Sequence, residues 1–172
     1  MEKTVKLQAC LKPLWHRNLL KSPESKITLY NSQRDFPILL PQVRKAIAFL
    51  LRELKISTDE VIIHFVSKKK ISSLHKKFFN DPSPTDCISF PIDPLKKSKE
   101  SFHLLGEAFI CPKIAVEYST YHQLDPLEEL YRYIVHCLLH FIGYDDLELS
   151  QRSRMKKKER VCLKRLYDTG FL

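Results

Sequence analysis

Two histidines stand four positions apart in a stretch without acidic, lysine or arginine side chains. Residues 133–142 have only two strongly polar side chains, those of His136 and His140. On a helix, side chains four positions apart lie on one face, with Cβ atoms ~5–6 Å apart. Two imidazoles placed in this way can bind the same metal ion.

A helix-breaking glycine and two carboxylates follow the histidine pair. Gly143 ends the helical pattern, and Asp145 and Asp146 come two and three residues later. The spacing His-x3-His-x5-Asp predicts three ligands, His136, His140 and Asp146, and leaves a fourth position for water, as in catalytic zinc sites. Asp145 is predicted to orient a ligand histidine. The alternative interpretation is a pair of core histidines that share a hydrogen-bond network with Asp145.

The residue after the first histidine bears on the class of enzyme. In zinc peptidases with the HExxH motif this residue is a glutamate that serves as general base. Here it is Cys137. The sequence therefore disfavours a metallopeptidase of that type.

The helix that positions these residues has clear boundaries. Asp125 is a typical N-cap, Pro126 suits the first helical position, and Glu128 stands three residues after the cap. Gly143 is a typical residue at the end of a helix. The sequence therefore predicts a helix from 126 to about 142.

Hydrophobic periodicity and turn residues predict the other elements. Gly106 stands inside one predicted strand, which favours a β-bulge or a close backbone approach there. Together the elements predict an α+β fold, a single domain over residues 1–172 with a small mixed β-sheet of about four strands and about five helices. Strands are predicted at 4–10, 26–31, 61–66, 87–90 and 104–111, and the further helices at 41–54, 68–79, 112–121 and 147–166.

The composition favours a polyanionic partner. The 172 residues include 29 Lys and Arg against 20 Asp and Glu, a net charge of +9. Such an excess is typical of proteins that bind nucleic acid or an acidic membrane surface. The three glycines are too far apart to form a phosphate-binding loop, which excludes P-loop and dinucleotide-binding motifs.

The cysteines and the hydropathy pattern indicate where the protein works. Five cysteines are scattered without any CxxC pair, which predicts reduced thiols and excludes a cysteine zinc knuckle. No segment approaches the ~20 apolar residues that span a bilayer, and residues 1–6 lack the apolar core of a signal peptide. We therefore expect a cytoplasmic protein without a membrane partner.

The positive charge is concentrated in two segments, one on each side of the candidate metal ligands in the sequence. Unbalanced basic runs of this kind suit phosphate contacts, which give affinity without reading the base sequence. The candidate RNA-binding residues are Lys68, Lys69, Lys70, Lys76, Lys77, Arg152, Arg154 and Lys156.

Three blocks of the sequence resemble one known family. The segment His136-x-x-x-His140-x-x-Gly143-Tyr144-Asp145-Asp146 is similar to the H-G-x-L-H-L-x-G-Y-D-H signature of the YbeY family of bacterial endoribonucleases. Upstream, residues 84–91 read P-T-D-C-I-S-F-P and resemble the family's P-T-D-V-L-S-F-P. Residues 105–107 read L-G-E and resemble its L-G-D. The order and spacing of all three blocks fit over roughly residues 60–165.

Three positions depart from the family pattern. Asp146 replaces the third histidine, and a carboxylate is also a competent zinc ligand. Cys137 replaces the glycine after the first histidine. Phe79 aligns with an arginine thought to serve the substrate phosphate, and the nearby Lys76 and Lys77 supply charge but not a bidentate contact.

The resemblance implies a function. It implies a metal-dependent, single-strand-specific endoribonuclease in ribosomal RNA processing, with a role in 3′-end maturation of small-subunit RNA and in ribosome quality control. It further implies one zinc ion or other divalent metal per chain, the small ribosomal subunit as partner, and Glu107 as a candidate catalytic base. Two alternatives stay open: a non-catalytic ribosome assembly factor with a structural metal site, and a metallopeptidase.

Overall fold

One mixed β-sheet organises the chain. The structure is a computed structural model that describes residues 25–95 and 101–172. Its strands are β1 (Lys26–Asn31), β2 (Glu60–Phe65), β3 (Cys87–Pro91) and β4 (Leu104–Ile110). The predicted strand at 4–10 lies outside the described residues.

The strand order is β1-β2-β4-β3. The strands β1, β2 and β4 run parallel, and β3 pairs antiparallel with β4 at one edge. The predicted mixed sheet of four strands is therefore confirmed.

Within residues 25–95 and 101–172, five helices accompany the sheet, in agreement with the prediction. They are α1 (Leu40–Glu53), α2 (Lys68–Phe79), α3 (Pro112–His122), α4 (Pro126–Phe141) and α5 (Leu149–Asp168). Within the described part of the chain, none of these helices is long and apolar enough to cross a membrane.

The main core lies between one face of the sheet and the helices α1, α4 and α5. Along β2 the side chains of Val61, Ile63 and Phe65 are fully buried in it, and the residues between them point to the other face. A smaller apolar cluster, which includes Ile71 of α2 and Ile88 of β3, packs separately. The two faces of the sheet thus have different surroundings.

The absence of a side chain at Gly106 allows β4 to pack closely against α4. A Cβ atom at this position would lie 2.5 Å from Cδ1 of Phe141, closer than side chains approach one another. The pairing of β2 with β4 also shifts register between Glu60 and Ile62, next to this glycine. Both predicted roles of Gly106, a bulge and a close approach, are therefore found, and they bring β4 against the end of the helix that carries the histidines.

Candidate metal centre

The histidine pair lies on the last two turns of α4. The helix begins as predicted, because the Asp125 carboxylate accepts a hydrogen bond from the Leu127 backbone N–H at 2.8 Å. Ile134 and Leu138 bury the opposite side of the helix in the core. The rings of His136 and His140 therefore project from one face, and their Nε2 atoms lie 3.0 Å apart.

A tight turn after α4 brings a carboxylate to the same point. Gly143 adopts a φ of +89°, a left-handed conformation that favours glycine, and the chain folds back there. Oxygen atoms of Asp146 then lie 4.0 Å from Nε2 of His136 and 4.0 Å from Nε2 of His140. One donor atom from each of the three residues lies within 4.8 Å of the others. The structure thus brings the three predicted ligands together.

The other ring nitrogen of each histidine has a fixed acceptor. Nδ1 of His136 lies 2.7 Å from Oε1 of Glu159 on α5, and Nδ1 of His140 lies 2.9 Å from the backbone oxygen of Tyr144. A carbonyl oxygen accepts but never donates, and a carboxylate acts in the same way when it is ionised. Both Nδ1 atoms therefore carry the proton.

This proton arrangement leaves two unprotonated nitrogen atoms close together. A neutral imidazole protonated at Nδ1 has an unprotonated Nε2. The two Nε2 atoms, only 3.0 Å apart, then repel one another unless a proton or a metal ion lies between them. The outer hydrogen bonds therefore prepare His136 and His140 as metal ligands, in the way that partners behind a ligand histidine do.

The two histidines differ in their proton affinity. Burial lowers the pKa of His136, but the hydrogen bond and charge of Glu159 outweigh it, so that the pKa lies above its ordinary value. Burial and the neighbouring charge of His136 lower the pKa of His140. His136 therefore holds a proton more readily than His140 does.

The donor set suits a small divalent cation. Tetrahedral zinc with bonds of ~2.0–2.1 Å holds its donor atoms about 3.3 Å apart. The Nε2 atoms of His136 and His140, at 3.0 Å, already lie close to that spacing, and the Asp146 oxygens at 4.0 Å need a small inward shift. Two imidazoles and one carboxylate also form a familiar set for catalytic zinc.

The side chain of Asp145 stabilises the turn and does not orient a ligand histidine. Its Oδ1 accepts hydrogen bonds from the backbone N–H groups of Asp146 at 2.7 Å and Leu147 at 3.3 Å. The histidine-orienting role that the sequence assigned to Asp145 belongs to Glu159 and to the carbonyl of Tyr144 in the structure. Asp145 instead positions the backbone of the third ligand.

Glu107 lies on the other face of the sheet. Its strand neighbour Ala108 is buried in the main core with α4, so Glu107 points the opposite way. There its Oε1 lies 2.6 Å from Nε2 of His64, whose ring stacks between Tyr30 and Phe109. The structure does not bring Glu107 to the three ligands.

The other two positions that depart from the family pattern, Cys137 and Phe79, have separate surroundings. Cys137 is fully buried in the main core, and its thiol, together with burial, raises the pKa of the Cys87 thiol on β3. Cys137 therefore packs the helix against the edge strand. Phe79 is the last residue of α2, is 58% exposed and contacts the ring of His75.

The predicted RNA-binding residues lie on two helices. Three of them, Arg152, Arg154 and Lys156, are exposed on α5. Nε of Arg152 donates a hydrogen bond to the backbone oxygen of Asp146 at 3.1 Å. The cations of α5 therefore lie beside the metal centre. The α2 group sits on a helix that packs against β3 in the smaller cluster. It comprises Lys68, which pairs with Glu117 at 2.6 Å, and the lysines Lys69, Lys70, Lys76 and Lys77.

Glu159 has a role in the site that was not predicted from the sequence. It is the single acidic residue between Arg152 and Arg165 in a strongly basic helix. The structure buries it to 7% exposure and pairs it with His136. A lone carboxylate on the buried side of a basic helix was the signal that could have identified it, because buried carboxylates need a partner.

Comparison with known proteins supports the family resemblance. The family model of endoribonuclease YbeY matches residues 28–167. The endoribonuclease YbeY of Protochlamydia amoebophila is 43% identical over 133 residues, which cover 77% of this chain and 87% of that protein. The endoribonuclease YbeY of Chlamydia felis is 40% identical over 147 residues, covering 84% of this chain and 92% of that protein.

A solved structure supports the fold. The solution structure of TM1509 from Thermotoga maritima matches with a TM-score of 0.60 and 21% identity. The match covers 83% of this chain and 90% of that one. Sequence motifs, fold and relatives agree, and the chain belongs to the endoribonuclease YbeY family.

Proposed function

We propose that this protein is a metal-dependent endoribonuclease whose centre is formed by His136, His140 and Asp146. One observation carries the metal site: two Nε2 atoms face one another at 3.0 Å while both Nδ1 atoms are held by acceptors. Membership in the endoribonuclease YbeY family supports the reaction type. The donor set fits one zinc ion or another divalent metal ion per chain.

Each residue of the centre has a separate task. A divalent ion in such a site lowers the pKa of a water molecule towards ~7 and polarises a phosphoryl oxygen. His136 and His140 supply neutral nitrogen ligands, and Glu159 and the Tyr144 carbonyl hold their rings in place. Asp146 supplies the third, anionic ligand, on a turn held by the side chains of Asp145 and Arg152.

The exposed cations would hold the RNA. Arg152, Arg154 and Lys156 stand beside the metal centre on α5, and the lysines of α2 add a second basic surface. Contacts of lysine and arginine with phosphates give affinity for single-stranded RNA without sequence preference. Glu107 is not proposed as the proton acceptor, because it pairs with His64 on the face of the sheet opposite α4.

The proposed biological substrate is ribosomal RNA, in particular the 3′ end of the small-subunit precursor, with the small ribosomal subunit as partner and a role in ribosome quality control. The family membership supports this assignment. We place the protein in the cytoplasm, a proposal supported by the free thiols of Cys87, Cys111, Cys137 and Cys162.

The test is cleavage of defined RNA by the purified protein. We expect a single-stranded oligoribonucleotide to be cut in the presence of zinc, spared in a chelator, and cut again when zinc is restored. A duplex of the same sequence should be spared. Cleavage that resists the chelator would overturn the metal-dependent mechanism. Binding to small ribosomal subunits without cleavage under any divalent metal would favour the assembly factor instead.

A further inference from the structure

An open groove lies beside the candidate metal centre, between the turn after α4 and the outer side of α5. Its volume is about 540 Å³. This lies within the ~300–1,000 Å³ that small-molecule sites commonly occupy. The turn contributes Tyr144 and Asp145, and α5 contributes Arg154, Lys157, Lys158 and Val161.

The groove adjoins the metal centre at the turn after α4 and along α5. Tyr144 lines the groove, and its backbone oxygen is the acceptor for Nδ1 of His140. On α5, Lys158 lines the groove while the next residue, Glu159, bonds to His136. A group bound in the groove therefore lies adjacent to the reacting centre.

The groove is positively charged. Arg154, Lys157 and Lys158 line it, and none of the three forms an ion pair with another described residue. Further along the same helix, Lys164 is paired with Asp168 and Arg165 with Glu53, at 3.1 Å and 2.7 Å. The groove thus presents cations that are available to an external anion.

The remaining lining is mostly apolar or aromatic, with one amide, Gln151, whose side-chain oxygen accepts from the Glu148 backbone N–H, and one carboxylate. Ile142, Tyr144 and Val161 stand beside the cations, and Oδ1 of the one carboxylate, Asp145, is occupied by backbone N–H groups. A ligand that fits must combine negative charge with a flat or apolar part. A nucleotide has this combination, since its phosphate is anionic and its base offers a π-face.

We infer that this groove binds a nucleotide of the RNA strand next to the one that is cut. Its phosphate contacts Lys157, Lys158 and Arg154, and its base or ribose lies against Tyr144 and Val161. The inference rests on the proposed function, because it takes RNA as the substrate. The groove would give the RNA strand a second point of contact, next to the metal centre, and so fix the position of the strand there.

The test measures RNA binding rather than cleavage. A labelled 12-nucleotide single-stranded RNA is titrated with protein in a chelator over a range of salt concentrations, with fluorescence anisotropy as the readout. For Lys157→Gln/Lys158→Gln we expect affinity about 20-fold weaker at 0.1 M salt. The slope of log affinity against log salt should fall by about 1.4, since each phosphate contact on a single strand contributes ~0.7.

A matched control removes two charges from the same helix outside the groove. Arg160→Gln/Lys164→Gln should bind this RNA within twofold of the wild-type protein. Equal losses in the two double variants would overturn the inference, because α5 would then act only as diffuse charge. All four side chains are at least partly exposed, and thermal unfolding verifies that both variants fold.

A second measurement locates the RNA directly. RNA containing 4-thiouridine is cross-linked to the wild-type protein, and the adducts are mapped by mass spectrometry. Adducts in residues 142–145 or 151–161 are expected, and adducts confined to other segments would contradict the groove. If these results hold but no RNA is cut, the proposed function fails alone. If cleavage depends on His140 but the groove variant binds normally, the groove fails alone.

Discussion

The side chain of Glu159 on α5 lies 2.7 Å from Nδ1 of His136 on α4. This bond joins the two helices at the metal centre and fixes which nitrogen of His136 faces the other ligands. The basic helix therefore has two functions: its buried carboxylate positions a ligand, and its exposed cations face outward beside the same site.

Replacement of Glu159 tests this positioning role. We expect Glu159→Ala to weaken zinc binding by about 10- to 100-fold, the usual cost of losing a partner behind a ligand histidine. Glu159→Gln keeps an acceptor oxygen and should lose less. Competition with a chromogenic chelator measures the affinity. Glu117→Gln, which removes an exposed partner of Lys68, is the control. Wild-type zinc affinity in Glu159→Ala would refute the role.

Zinc should stabilise the folded protein. A ligand that binds only the native state at 100 times its Kd adds about 2.7 kcal/mol to the free energy of unfolding. For a domain of this size, 1 kcal/mol raises Tm by ~2–4 °C, so a rise of roughly 5–10 °C is expected. Differential scanning calorimetry with and without zinc measures it. His140→Ala should show no such rise, and an equal rise in that variant would place the metal elsewhere.

Gly106 is predicted to be a packing requirement. In Gly106→Ala the new Cβ would meet the Phe141 ring at 2.5 Å. We expect a loss of ~1–3 kcal/mol in the free energy of unfolding, as overpacked cores show. Urea denaturation measures it. Phe141→Leu in the same background should recover part of the loss, whereas two additive effects would contradict the steric explanation.

Glu107 is predicted to have little part in the chemistry. Loss of a general base lowers a rate by ~10²–10⁴-fold. We expect Glu107→Gln to lower single-turnover RNA cleavage by less than threefold, because the carboxylate faces His64 on the other side of the sheet. A hundredfold loss, with an unchanged thermal unfolding curve, would restore Glu107 as the catalytic base.

The features that the sequence predicted correctly depend on residues close together in the chain. The spacing of His136 and His140 on one helix and the turn at Gly143 depend on residues close together in the chain, and the structure brings Asp146 to the pair. The bond between His136 and Glu159 spans 23 positions and that between His64 and Glu107 spans 43. Such pairs depend on how helices and strands pack, which periodicity does not determine. Hence Glu159 was missed, and Glu107 was a candidate catalytic base although it lies on the other face of the sheet.

Catalysis at the metal centre is tested by comparing RNA cleavage by the wild-type protein, His140→Ala and His122→Ala, each purified identically and supplied with zinc. His122 lies at the end of α3, where its ring contacts Tyr118 and Tyr121. We expect wild-type cleavage by His122→Ala and a loss of at least about 100-fold in His140→Ala. The RNA affinity of His140→Ala should stay within twofold of wild type because the cations are intact. Equal cleavage by all three proteins would contradict a catalytic centre at His136, His140 and Asp146.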